Sequence, residues 1–187
     1  MNWIVFALMA WLAFGFEIGL RPLISPGDGS IAPSLVIPLL VYVALWAPAR
    51  TALWAALILG LCADLLSSID LAPTGAAIVI GPRAIGYLVA AQLVIASRGV
   101  VIGRSPVTMV VLSVIAAFVA GVVVVSLLTL RSFYDPIVWD PGRQLGVRFF
   151  SALYTGVSAL AMSLVLIPMG PAFQFPHAPG ARFARRA

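Results

Sequence analysis

Three ionisable side chains stand inside or at the edge of long apolar runs: Glu17, Asp64 and Arg83. A charge near mid-bilayer costs on the order of 2.5–3.5 kcal/mol on insertion scales, so such groups face protein or water, or pair with one another. Asp64 falls near the end of one run and Arg83 about two turns into the next, so antiparallel packing of the two runs lets them meet, directly or through a water. Read functionally, they form a proton or substrate site. Read structurally, they tie two helices together or snorkel to the interface. The structural reading is preferred, because two charges without a wider polar network make a poor transport path.

Other chemistries lack their parts. The one histidine, His177, lies in a proline-rich tail, away from any serine that an intramembrane protease would activate. Asp64 has no second intramembrane aspartate, and Gly60-Leu-Cys-Ala-Asp64 lacks the glycine that an aspartyl protease of the membrane places directly before its acid. No group of aspartates could hold a divalent metal as phospholipid-synthesising transferases do. A single cysteine, Cys62, excludes a disulfide and a thiolate cage. Without lysine there is no phosphate loop of the Gly-rich, lysine-bearing type. No catalytic, cofactor or metal site is expected.

The elements that must carry these residues follow from composition. Of 187 residues, 63% are hydrophobic and 9% charged, with a mean hydropathy of +1.13. A soluble domain carries roughly 25% charged residues, so a solvated enzyme, a disordered chain and a coiled coil are excluded. The fold class expected is all-α: a polytopic integral membrane protein of six transmembrane helices, or five, in one compact bundle. All 11 basic residues are arginines, against six acids, for a net charge of +5. They are spread between apolar runs, which reads as topology signal and lipid-headgroup contact and argues against a nucleic-acid partner.

Six apolar runs are visible, at 3–20, 34–47, 51–66, 75–96, 106–130 and 149–167. The first has no positive flank or small-residue cleavage site, so it reads as a retained span. The second, at about 21 Å, falls short of a roughly 30 Å hydrocarbon core. The tight connector 47–50 makes the second and third runs a helical hairpin. Pro82 is predicted to kink the fourth run, and 131–148 to form the largest loop, with its aromatics at the interface. Residues 1–169 then form the bundle and 170–187 a disordered Pro/Arg-rich cytoplasmic tail near anionic lipid. With the tail inside, Arg50, Arg98, Arg104, Arg182, Arg185 and Arg186 are cytoplasmic and Arg21, Arg131, Arg143 and Arg148 are outside, a six-to-four bias in the expected direction. Both termini are predicted cytoplasmic; five spans would move the N-terminus outside.

Glu17 sits within Gly15-Phe16-Glu17-Ile18-Gly19, a spacing that admits a close helix neighbour. Similar pairs of small residues occur at Ala56/Gly60, Ala116/Ala120 and Ala152/Gly156. Gly15, Gly19 and Gly60 are therefore candidates for helix packing, within the chain or against another subunit.

The stretch from Pro33 to Ala90 resembles the bacterial rod shape-determining membrane protein family MreD. The likeness rests on Leu35-Val-Ile-Pro-Leu-Leu-Val-Tyr42, Leu45-Trp-Ala-Pro48-Ala-Arg50, Gly60-Leu-Cys-Ala-Asp64-Leu-Leu-Ser67 and Ala84-Ile-Gly-Tyr87-Leu-Val-Ala90, whose Tyr87 joins the helix-packing candidates. Its most specific part is Gly-x-x-x-Asp-Leu followed by Gly75 and the Tyr87 helix. This chain departs from the family pattern in placing Ala72-Pro73-Thr74 before Gly75. The resemblance implies a non-enzymatic inner-membrane scaffold of the cell-elongation machinery, which regulates cell shape and lateral peptidoglycan synthesis. It implies as partners a bitopic MreC-like protein, MreB-type filaments, and a SEDS glycosyltransferase with its penicillin-binding transpeptidase. Small residues and the short second span would dock a partner's transmembrane helix. The rival expectation is the substrate-binding membrane subunit of an energy-coupling-factor-type vitamin transporter, which is similar in hydropathy. That reading requires a polar pocket near the outer surface, lined from Ser67 to Asp70 and from Phe133 to Arg143.

Overall fold

The computed structural model describes residues 1–24, 31–71, 75–99, 105–135 and 139–175. Six helices of 11 residues or more account for most of them: α1 (Trp3–Ile24), α2 (Val36–Trp46), α3 (Ala49–Leu65), α4 (Pro82–Ser97), α5 (Pro106–Arg131) and α6 (Pro141–Leu166). A one-turn helix, α7 (Gly170–Phe173), follows, and between α3 and α4 a short antiparallel hairpin pairs β1 (Ile69–Leu71) with β2 (Gly75–Ala77). Within the described residues α1, α5 and α6 contain stretches long and apolar enough to cross a membrane, and α2 and α4 are shorter apolar helices. This is the architecture of a helical membrane protein.

Helices α1, α3, α4, α5 and α6 all pack on α2, whose residues Val36 to Ala44 are all buried. Small residues set how closely its neighbours approach one another. A Cβ at Gly60 of α3 would overlap the backbone of Ala84 in α4, and one at Gly86 of α4 would lie 2.9 Å from the Ala120 carbonyl oxygen of α5. One at Gly156 of α6 would come within 2.9 Å of Val114 in α5. Each contact marks a close helix crossing, and three of the four small-residue pairs in the sequence are thereby spent inside the chain. The pair in α1 is not. Gly15 and Gly19 are exposed and have nothing among the described residues within 4 Å of where a Cβ would stand, so no described helix packs against them.

Several sequence expectations give way here. Pro82 does not kink a helix; it is the first residue of α4, where its missing N–H costs nothing. The residues before it, Gly75–Ala77, pair as a strand. Much of the segment expected as the largest loop is helical, because Asp140 caps α6 by accepting from the amides of Gly142 and Arg143, with Pro141 at the first position. Residues 170–175, expected in a disordered tail, fold onto the bundle: Phe173 is fully buried, its ring 5.3 Å from that of Tyr42 and stacked on Phe175. The Phe173 carbonyl accepts from the Asn2 amide, tying both ends of the described chain together at 2.8 Å. The rest of the tail expected at 170–187, residues 176–187, and Arg104 lie outside the described residues.

Candidate functional site: capped half-helices around an arginine-lined cavity

At about 1.5 Å per residue, α2 spans roughly 16 Å and α4 roughly 24 Å, both short of a bilayer core of about 30 Å. A helix that begins inside the bundle leaves its first amides without intrahelical partners and out of reach of bulk water. Glu17 and Asp64 answer that problem. In α4 the Asp64 carboxylate accepts from the amides of Gly81 at 2.8 Å, Arg83 at 3.0 Å and Ala84 at 3.2 Å. The remaining position of that turn is Pro82, which has no amide to satisfy. Gly81 sits at φ +125°, a conformation that disfavours a side chain, and it turns the chain so that these amides converge. In α2 the Glu17 carboxylate accepts from the amides of Leu35 at 2.8 Å and Val36 at 3.2 Å, and from the Ser34 hydroxyl at 3.0 Å. The Ile37 amide donates to Ser34 Oγ, and the next residue is Pro38. Both N-termini are fully accounted for, and both carboxylates lie where a helix dipole favours negative charge.

The opposite helix ends are closed by arginines. Arg98 donates to the carbonyls of Ala44 and Ala47 at the C-terminus of α2, its contact to Ala47 being 2.7 Å. Arg83 donates to the Ala63 carbonyl at 3.0 Å, in the last turn of α3. Asp64 and Arg83 are thus brought together, but not as a side-chain ion pair. The acid holds the backbone of α4 and the guanidinium holds the backbone of α3, so each side chain closes the other helix. Asp64 itself is only 2% exposed.

A polar network surrounds these caps, where the sequence suggested two isolated charges. Ser34 donates its amide to Thr155 Oγ1 at 3.0 Å, and its carbonyl accepts from Ser158 Oγ at 2.7 Å, which ties the start of α2 to α6. Tyr87 of α4 lines the same space as Ser34. Two adjoining cavities open beside this network, of about 320 and 270 Å³, and both are walled by Arg21, Arg83 and Arg148. Asp64, Ser67, Ser68 and Trp139 line the first; Glu17, Ser34, Tyr87 and Thr155 line the second. Gly121 makes room for Arg148, since a Cβ there would stand 3.0 Å from the arginine's own Cβ. Arg148 Nε is buried without a hydrogen-bond partner among the described residues. Sequence reasoning used Arg21, Arg98 and Arg148 only as topology signals, and neither hydropathy nor spacing showed that two of them converge. A proline in the first turn of each short helix was the available sign that an outside carboxylate would cap it.

Among the described residues no group of three or more histidine, cysteine, aspartate or glutamate side chains could hold a metal ion. Comparisons with protein-family models, curated proteins and solved structures gave no match.

Proposed function

We propose that this protein is a multi-pass scaffold of a bacterial inner membrane, both termini cytoplasmic and six segments threading the bilayer, that docks the transmembrane helix of a bitopic partner. The partner class is the MreC-like one that the resemblance of residues 33–90 implies, and the role is the organisation of cell elongation and lateral wall synthesis. The observation that carries this reading is the outward face of α1. Leu8, Trp11 and Ile18 are exposed there with Gly15 and Gly19, whose Cβ positions are open. Small residues flanked by large apolar ones let a second helix approach its neighbour's backbone closely, and none of the described helices of this chain packs there. The test is co-purification of the full-length protein with a co-expressed MreC-like partner. Gly15→Leu with Gly19→Leu is expected to cut recovery of the partner at least fivefold and leave the melting temperature of the isolated protein unchanged. Unchanged recovery would refute docking at this face.

The cavities favour a second reading, a small-ligand-binding membrane subunit of the energy-coupling-factor type. Ser67, Ser68 and Trp139, from the two segments such a pocket requires, do line one of them. A vitamin extracted in stoichiometric amount from the purified protein would decide for it.

A further inference from the structure

The electrostatics of the two cavities are unbalanced. Arg21, Arg83 and Arg148 converge from α1, α4 and α6 on one space. Three like charges grouped in a low-dielectric bundle repel one another and need a counter-charge. Two carboxylates border the space, Glu17 and Asp64, but both are engaged on backbone amides of α2 and α4. The N-terminal ends of those two helices point at the same region and add positive partial charge of their own. Counted together, the walls remain net positive. They also carry neutral hydroxyls in Ser34, Tyr87 and Thr155.

Arg148 shows the imbalance at atomic scale. Its Nε is buried without a partner among the described residues, which costs stability unless something accepts from it. Gly121 gives its aliphatic stem the room to lie there. Arg21, at the exposed end of α1, forms the rim, so the space is reachable from outside the bundle.

We propose that the cavity framed by Arg21, Arg83 and Arg148 binds a phosphate-class oxyanion. Forked guanidinium donors match the several oxygens of such a group, and the Tyr87 hydroxyl on the same wall offers one more donor. The group can arrive as free phosphate or as the headgroup of an anionic lipid that enters past Arg21. Binding requires neither partner docking at α1 nor vitamin transport, so the fate of those readings leaves it untouched.

The experiment uses the full-length purified protein. In neutral detergent, inorganic phosphate is titrated against chloride at matched ionic strength, with melting temperature as the readout. In parallel, the protein is reconstituted in phosphatidylcholine bilayers with and without phosphatidylglycerol, and retained lipid is counted by native mass spectrometry. A saturable rise in melting temperature with phosphate, weakened at least about tenfold by Arg148→Gln, supports the site and identifies the free anion. Retention of one phosphatidylglycerol per chain, lost in Arg148→Gln, supports it and identifies the headgroup. Where Arg148→Gln does not purify as a folded protein, Arg21→Gln at the rim replaces it with the same expectation. Arg131→Gln serves as the control, because Arg131 is occupied by a 2.5 Å ion pair with Asp135 at the helix surface. The proposal is overturned if the wild type binds neither probe. It is equally overturned if Arg148→Gln and Arg21→Gln bind as the wild type does, or if Arg131→Gln weakens binding as much as they do.

Discussion

The two short helices solve one problem with different strength. In α4 both oxygens of Asp64 are used, the acid is almost wholly buried, and Arg83 reciprocates on the carbonyl of Ala63. The crossing that presents Asp64 is pressed tight at Gly60, where a Cβ would run into Ala84. In α2 one oxygen of Glu17 serves two amides and a hydroxyl, and it comes from α1, a helix with a largely exposed outer face. Its far end is held by Arg98. The Asp64 cap is therefore part of the core, whereas the Glu17 cap is also the polar latch that fastens α1 to the bundle. A cap inside a dry crossing stabilises the fold; a cap delivered by a peripheral helix couples that helix to it.

The largest expected effect is that of Asp64→Ala, which strands the amides of Gly81, Arg83 and Ala84 in a buried site. It should cost about 4 kcal/mol, read as a fall in melting temperature of the detergent-purified protein. Gly60→Ala comes next, at about 2 kcal/mol, because the added Cβ meets backbone that cannot rotate away. Smallest is Glu17→Ala, at about 1.5 kcal/mol, with Ser34 still capping Ile37 and water able to reach the half-buried site. That variant should also raise protease sensitivity or hydrogen exchange in α1 while α3 and α4 keep their protection. If Glu17→Ala costs as much as Asp64→Ala, or loosens the whole bundle at once, the distinction between core cap and peripheral latch is wrong.

The sequence located the acids and the arginine that matter but misread how they are used. Glu17, Asp64 and Arg83 stood out because ionised groups are costly in apolar runs, and that cost does not depend on the fold. Their partners did not stand out, because all of them except one hydroxyl are backbone groups, which look alike in any sequence. The same limit explains Pro82. Inside an apolar run it suggested a kink, and only the capped turn at Gly81 shows that α4 starts there. The apolar stretch of α6 hid its own first turns for a related reason: Arg143, Gln144 and Arg148 interrupt the hydropathy of residues 141–148, and the helix there is set by Asp140 and Pro141 at its start.

What the sequence determined by itself is the solvent and the class of architecture. Oily runs of this number and length can satisfy their backbone in lipid only as helices, whatever their arrangement. Small-residue spacings also marked the close crossings at Gly60 and Gly156, since closeness is a property of side-chain size. Tertiary structure alone decided which spacing stays open, which carboxylate caps which helix, and that Arg21, Arg83 and Arg148 meet. Those facts depend on residues far apart in the chain being brought within a few ångströms, and charge-to-backbone contacts leave no periodic trace from which such a meeting can be read.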